Sequence, residues 1–235
     1  VVADKGFLET NFSGSLMQSL ASIPGVKAMN IGSGQSKPAI RGLGFNRMVV
    51  TDNGIKHESQ QWGDDHGLEI DQFAIDRVEV IKGPAALLYG SDAIGGVINL
   101  HSDDKPSKPF EGNVNLFGRS NNASLGMSLG LAGNKNKFYY KLNATAINYG
   151  DYKVPADSIQ YYSYYIKLKN RELRNTAGRE YDGRLLLGYD GGDFHTYFNI
   201  SDSYSKAGFF ANAHGLEVRL SDIDYDKSRR DIDLP

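Results

Sequence analysis

Residues 75–100 read IDRVEVIKGPAALLYGSDAIGGVINL, and their pattern decides what kind of fold the rest of the chain can have. Val78 and Val80 alternate with Arg77 and Glu79, the period-2 signature of a half-buried strand. Gly83-Pro84 breaks that strand, and Pro84-Ala-Ala-Leu-Leu predicts one helical turn with proline at its first position. Tyr89-Gly90 and Gly95-Gly96 then punctuate the chain before Val97, Ile98 and Leu100, a second apolar strand. Glycines at 83, 90, 95 and 96 supply positive φ or close backbone approach where a compact sheet turns. No nucleophile stands beside a base here, and no phosphate loop is spelled out, so the stretch predicts structure and no chemistry.

Outward from this passage, the chain divides near residues 102–110, SDDKPSKPF, whose charge, serines and prolines read as a linker. Before it the pattern mixes helix and strand. Leu16, Leu20 and Ile23 recur at helical spacing, with Met17 beside them, after an N-cap at Ser13 or Ser15. Pro24-Gly25 stops the helix. Gly32–Lys37, GSGQSK, reads as a flexible turn; it lacks phosphate-loop spacing and is rejected as one. AIRG follows as a short strand, and RMVVT at 47–51 is another. Asp52-Asn53-Gly54 forms a tight hairpin turn into Ile55-Lys56-His57. Residues 57–67, HESQQWGDDHG, read as an exposed polar loop.

After the linker only strands are visible. NVNLFGR, SLGMSLGL, YYKLNATAIN, GRLLLGYD and DFHTYFNISDS each alternate apolar and polar residues. Tyr140, Leu142, Ala144 and Ala146 share one face, and Lys141, Asn143 and Thr145 the other. Connections at 120–122, 133–137 and 191–193 are short, whereas 150–181 and the residues after about 206 read as long polar loops. Short turns alternating with long loops describe a transmembrane barrel, and a soluble β-meander fits the same periodicity equally well.

Composition sets the outer bounds. The chain has 235 residues, 40% of them hydrophobic, with 27 Gly, 14 Tyr, 11 Phe and 1 Trp, which favours turns and β surface. Its net charge of −2 argues against nucleic-acid binding by electrostatics. With no cysteine, disulfides and thiolate metal sites are excluded. No run approaches 18 apolar residues, so no transmembrane helix is expected, and the first residues show no signal-peptide pattern.

Several pieces, taken in order, resemble the plug domain of TonB-dependent outer-membrane transporters. They are SLMQSLASIPGV at 15–26, Ile40-Arg41-Gly42, RMVVTDNGIK at 47–56, and the opening passage with Asp76–Val80, Gly83-Pro84, Tyr89-Gly90 and Gly95–Asn99. The resemblance covers roughly residues 10–101. It implies an α+β plug domain at 1–104, followed at 105–235 by antiparallel strands of an incomplete transmembrane β-barrel, truncated after about five strands. It further implies a non-enzymatic transporter in the bacterial cell outer membrane that takes up a metal ion or metal chelate (zinc, iron-siderophore or haem). Its partners would be the TonB energy-transducing protein, whose binding motif is not visible in this chain, and outer-membrane lipid. No cofactor is required, and bound zinc or another divalent metal would be substrate. The resemblance also implies that Arg41 and Arg77 anchor the plug to carboxylates on the barrel wall. Because an unclosed barrel leaves edge groups unpaired in lipid, the chain is expected to be a fragment. The competing expectation is a soluble β-rich ligand- or protein-binding module.

The candidate binding residues cluster in the 57–66 loop. His57, Glu58, Asp64, Asp65 and His66 supply nitrogen and oxygen ligands that suit Zn²⁺. The Asp65-His66 pair also resembles the metal-binding pair of zinc-transporting family members, and Trp62 could stack on an organic chelate or haem. His214, in the late loop ANAHGLEV, could complete such a site. His195 falls on the lumen face of its strand and reads as polar lining. Asp222, Asp224, Asp226 and Asp233 mimic EF-hand spacing, but Lys227 stands where glycine is needed.

Overall fold

The computed structural model describes residues 1–58, 67–210 and 218–225. Two bodies follow one another along the chain. The first is a mixed sheet in the order β1 (Val2–Asp4), β7 (Arg77–Ile81), β8 (Gly96–His101), β5 (Met48–Asp52), β6 (Ile55–His57). Beside it lies a small sheet of β2 (Val26–Asn30), β3 (Ser36–Ile40) and β4 (Leu43–Gly44). Two short helices, α1 (Lys5–Thr10) and α2 (Leu16–Leu20), cover the core.

Local chemistry explains these boundaries. Asp4 caps α1 by accepting from Phe7 N at 2.8 Å, and Ser15 caps α2. Neither helix could stand alone at this length, so burial of Leu8, Leu16, Met17 and Leu20 stabilises them. The predicted hairpin forms, with Asn53 and Gly54 both at positive φ (49° and 81°), the type I′ geometry that matches strand twist. Strand β8 pairs parallel to β5 and antiparallel to β7, so it is central and buried from Gly96 to Leu100. Gly96 sits at φ 140°, and a Cβ there would press on Ile40 and the Ile81 carbonyl at 2.8 Å. The Pro84–Tyr89 turn forms as a 3-10 helix with proline at its start. Residues Ser36 and Lys37, expected in a flexible turn, instead begin the buried strand β3.

The second body is a five-stranded antiparallel meander. Its strands are β9 (Glu111–Arg119), β10 (Ser124–Lys135), β11 (Phe138–Tyr149), β16 (Gly178–Asp190) and β17 (His195–Ala207), each beside its neighbour. Between β11 and β16 the expected bare loop is partly ordered by four short strands: β12 (Tyr152–Lys153), β13 (Ser158–Tyr161), β14 (Tyr164–Lys167) and β15 (Glu172–Leu173). Strand β14 also pairs with β18 (Ile223–Asp224). These pieces are two to four residues long, too short to show a period in sequence. Short turns at 136–137 and 191–194 lie at one end of the meander, and the long connection at 150–177 lies at the other, beside the short turn at 120–123.

Candidate functional site: the seam between plug and wall

The meander turns its faces the wrong way for water. Leu116, Leu125, Phe198 and Ile200 are 55–73% exposed on the outer face, with Val114, Met127 and Leu142 in the same layer. Ser128, Thr145, Asn143 and Arg184 are 8% exposed or less, because they face the first body. In water an apolar face of this extent marks an unfilled contact. Against hydrocarbon it is the ordinary outside of a barrel wall with a polar interior. Among the described residues no helix is long and apolar enough to cross a membrane, so the wall strands are the elements that could do so.

The inner face grips the first body through polar groups that alternate along the strands. The hairpin turn places Asp52 at the end of β5, where Arg184 of β16 donates to both its oxygens at 3.0 and 2.9 Å. The Arg184 Nε donates to Asn199 on β17 at 3.1 Å, which fixes the fork. Lys141 of β11 pairs with Asp76, the first charge of the opening passage, and donates to the Ser102 carbonyl at 2.9 Å. Asn143 donates to the Phe73 carbonyl at 3.2 Å. Near the end with long connections, Gln35 donates to Ser205 at 2.8 Å, and Phe210 N–H donates to the Ile31 carbonyl at 2.8 Å.

Between these latches lies a patch of acid. Asp71 accepts from Phe73 N at 2.9 Å as a turn cap and from the Thr145 hydroxyl at 2.8 Å. Burial pushes its carboxyl up to about 6, with the nearby Asp182 charge adding to the rise, while the Thr145 and Phe73 bonds and Arg184 oppose it. Glu180 and Asp182 of β16 face the same small cavity, and the Tyr149 hydroxyl donates to Glu180 at 3.3 Å.

The predicted site residues fare unequally. His57 closes β6 and, with Asp52, Asp71 and Arg184, lines a cavity of about 80 Å³ in the seam. Trp62, Asp64, Asp65, His66 and His214 lie outside the described residues. Arg77 makes its ion pair with Asp104 of the linker at 3.3 Å, so its partner among the described residues is not on the wall. Arg41 is exposed at φ 51° and makes no ion pair among the described residues. Among the described residues, the ion pairs between the two bodies run from wall cations, Lys141 and Arg184, to carboxylates of the first body, Asp76 and Asp52. A cue existed in the sequence, since Lys141 shares its strand face with Asn143 and Thr145, but alternation alone does not say what such a face meets. His195 lies on the lumen side by its pairing with Asp190, 3.4 Å away, and is well exposed. Of the EF-hand-like spacing, Asp226 and Asp233 are outside the described residues, and Asp222 pairs with Arg174 at 2.5 Å.

Comparison with known proteins accords with this geometry. The family profile described as TonB-dependent receptor plug domain matches residues 2–97. An iron-regulated outer membrane virulence protein of Vibrio cholerae is 38% identical over 116 residues, covering 46% of this chain and 18% of that protein. A vitamin B12 transporter, BtuB, of Vibrio vulnificus is 32% identical over 251 residues, covering 97% of this chain and 40% of its own length. The chain thus spans less than half the length of these relatives. Among solved structures, the ferric enterobactin receptor of Pseudomonas aeruginosa in complex with enterobactin superposes with a TM-score of 0.64. At 22% identity, covering 87% of this chain and 32% of that one, this likeness speaks for the fold alone.

Proposed function

We propose, from the premise that this chain belongs to the TonB-dependent receptor family of the outer membrane, that it supplies the plug and part of the wall of a transporter carrying a metal ion or metal chelate into the periplasm. The observation that supports this most is the inverted wall: apolar side chains face outward while Ser128, Asn143, Thr145 and Arg184 are buried against the plug. A soluble β-rich module would bury the opposite face, and no observation favours that reading. The plug is held by discrete charge pairs and hydrogen bonds, which can be exchanged one at a time as it shifts. TonB is the proposed source of the energy for that shift.

For metal contact the reading retains the 57–66 loop, with Asp65 and His66 as ligands, Trp62 and Asp64 beside them, and His57 and His214 as accessory contacts. Zn²⁺ titrated into the complete protein and into Asp65→Ala/His66→Ala decides that assignment; equal affinity removes it. The transport reading is tested by the metal content of metal-starved cells that overproduce the complete protein, with and without TonB. Accumulation should require TonB, and equal accumulation in both strains would overturn the proposal.

A further inference from the structure

The outer face of the wall carries a groove at the end of the short turns 136–137 and 191–194, with a volume of about 680 Å³. Strand register lays its side chains in rows. Nearest the rim, Lys135 of β10 stands opposite Phe138 of β11, Phe138 opposite Tyr189 of β16, and Tyr189 opposite Thr196 of β17. In the next row Tyr140 stands opposite Leu187, and Leu187 opposite Phe198. Both rows line the groove. The row beyond them is aliphatic, with Leu142 opposite Leu185 and Leu185 opposite Ile200. From the rim inward the face therefore runs from cation to aromatic to aliphatic. Phe138 and Tyr189 pack edge to face at 5.1 Å, while Phe138 and Phe198 remain 65% and 61% exposed.

The rim of this groove is basic. Lys135 is part of the lining, Lys137 follows it in the turn, and Lys108 directly precedes Pro109, another lining residue. Backbone bonds hold these segments side by side: Asn134 N–H donates to the Lys108 carbonyl at 3.0 Å, and Asp190 N–H to the Lys137 carbonyl at 2.7 Å. None of the three lysines makes an ion pair among the described residues. Asp190, at the same rim, is already taken by Lys105 at 3.0 Å and stands 3.4 Å from His195. Asp193 is the acid left in the two short turns to oppose them, so positive charge is in excess beside the aromatic rows.

We infer that this groove seats an anionic phospholipid of the periplasmic leaflet, with its phosphate at Lys135 and Lys137 and its acyl chains along the aromatic and aliphatic rows. Short turns mark the periplasmic side of such a wall. Aromatic rings suit that depth, because they offer an apolar body to the chains and tolerate the wet headgroup layer. Lysine is a compact, well-hydrated charge on a flexible stem, which suits an exposed phosphate. A zwitterionic headgroup carries a cation of its own and gains less from three lysines. Each lysine at an anionic surface adds a several-fold preference, which salt weakens. The inference rests on the outer-membrane reading of the wall and adds to it a lipid of defined charge at a defined place.

The probe is dioctanoyl phosphatidylglycerol, with dioctanoyl phosphatidylcholine as the zwitterionic comparison. Each is added to the complete protein in a non-ionic detergent, and native mass spectrometry reads the fraction that retains one lipid. The wild type should hold the glycerol lipid at least fivefold more tightly. Lys135→Gln/Lys137→Gln should erase most of that preference and leave phosphatidylcholine binding unchanged, whereas Phe198→Ala should weaken both lipids alike. Lys167→Gln/Lys169→Gln, the same loss of charge in the long connection at 150–177, should alter neither. All five positions are exposed, so these variants keep the fold, and heat-modified gel migration checks it. A wild type without preference, or an equal loss of preference in both lysine pairs, overturns the inference. Displacement of the lipid by an equal concentration of inorganic phosphate overturns it as well. Metal uptake that requires TonB in a protein with no lipid preference sinks the groove alone. Uptake indifferent to TonB, with a preference that Lys135→Gln/Lys137→Gln removes, sinks the transport reading and leaves the groove standing.

Discussion

Asp52→Asn perturbs the plug latch with little change of shape. Arg184 is 8% exposed and donates to both Asp52 oxygens, so the substitution leaves a mostly buried guanidinium facing a neutral amide. An exposed pair would contribute at most about 1 kcal/mol, and removing one partner of a fully buried pair costs about 3–5 kcal/mol. With the Asp52 side chain 23% exposed and Asn199 still accepting from Arg184 Nε, the seam lies between those limits. An expected loss of roughly 2–3 kcal/mol in plug docking corresponds to about a 30- to 150-fold shift in the docking equilibrium. The chain has no cysteine, so Ala74→Cys, placed at a buried position beside the wall, provides a single reporter within it. Thiol labelling of the complete protein is followed across urea, with the midpoint read for the reporter alone and with Asp52→Asn, Arg184→Gln and both together. The double variant should cost clearly less than the sum of the singles, since the second change removes a charge the first has orphaned. A single-variant loss below about 0.5 kcal/mol, or strict additivity, would refute the latch.

Three further outcomes are expected. Asp71 holds its proton to about pH 6 in the folded state, against an ordinary value near 4 when unfolded. The folded state then binds more protons between those values, so its contribution is fully present below about pH 4 and is lost as pH rises through 6. That loss is at most about 3 kcal/mol. The urea midpoint should therefore climb on acidification from pH 7 towards 4.5, and Asp71→Asn should flatten the climb and raise the midpoint at pH 7.5; a midpoint that falls on acidification contradicts this account. Leu142→Arg, on the outward face, should cost about 2–4 kcal/mol of membrane stability if that face meets lipid, read by heat-modified gel migration after folding into vesicles. Folding as efficient as wild type would remove the lipid assignment. Gly188→Ala should destabilise the wall by about 1–3 kcal/mol, because a Cβ there runs into the Tyr139 ring. Gly183→Ala, with nothing within 4 Å, is the silent control, and equal effects would show that the ring contact is unimportant.

Much of this architecture is local enough to read from residues. The Ser15 cap, the Asn53-Gly54 turn and the Pro84 start each follow from the conformational demands of one or two side chains. The five wall strands follow from alternation. What alternation cannot supply is the sign of each face, since the pattern is identical whether the polar side is wet or buried against another body. Asp52 therefore read as a turn residue, and Lys141 only as one member of a polar strand face. The short strands between β11 and β16 carry too few residues to show any period. The acid patch joins Asp71 to Glu180 and Asp182 across more than a hundred positions, a proximity that only folding creates.

Plug and wall also fix each other's register, which ties the opening passage to function more closely than a purely structural reading of it suggests. Strand β11 pairs Lys141 with Leu186 and Asn143 with Arg184, so Lys141, Asn143 and Thr145 all point to the plug. A slip of one residue would turn Leu142 and Ala144 inward and drive Lys141, Asn143 and Thr145 into the outer apolar layer. Asp76, the second residue of IDRVEVIKGP, would then lose Lys141, Asp71 would lose Thr145, and Phe73 would lose the Asn143 amide. Each contact is modest alone, yet all fail together under the same slip, so the plug selects one wall register cooperatively. The converse holds as well: a plug that moves must break contacts spaced two residues apart along one strand, and these can part in sequence from Lys141 to Thr145.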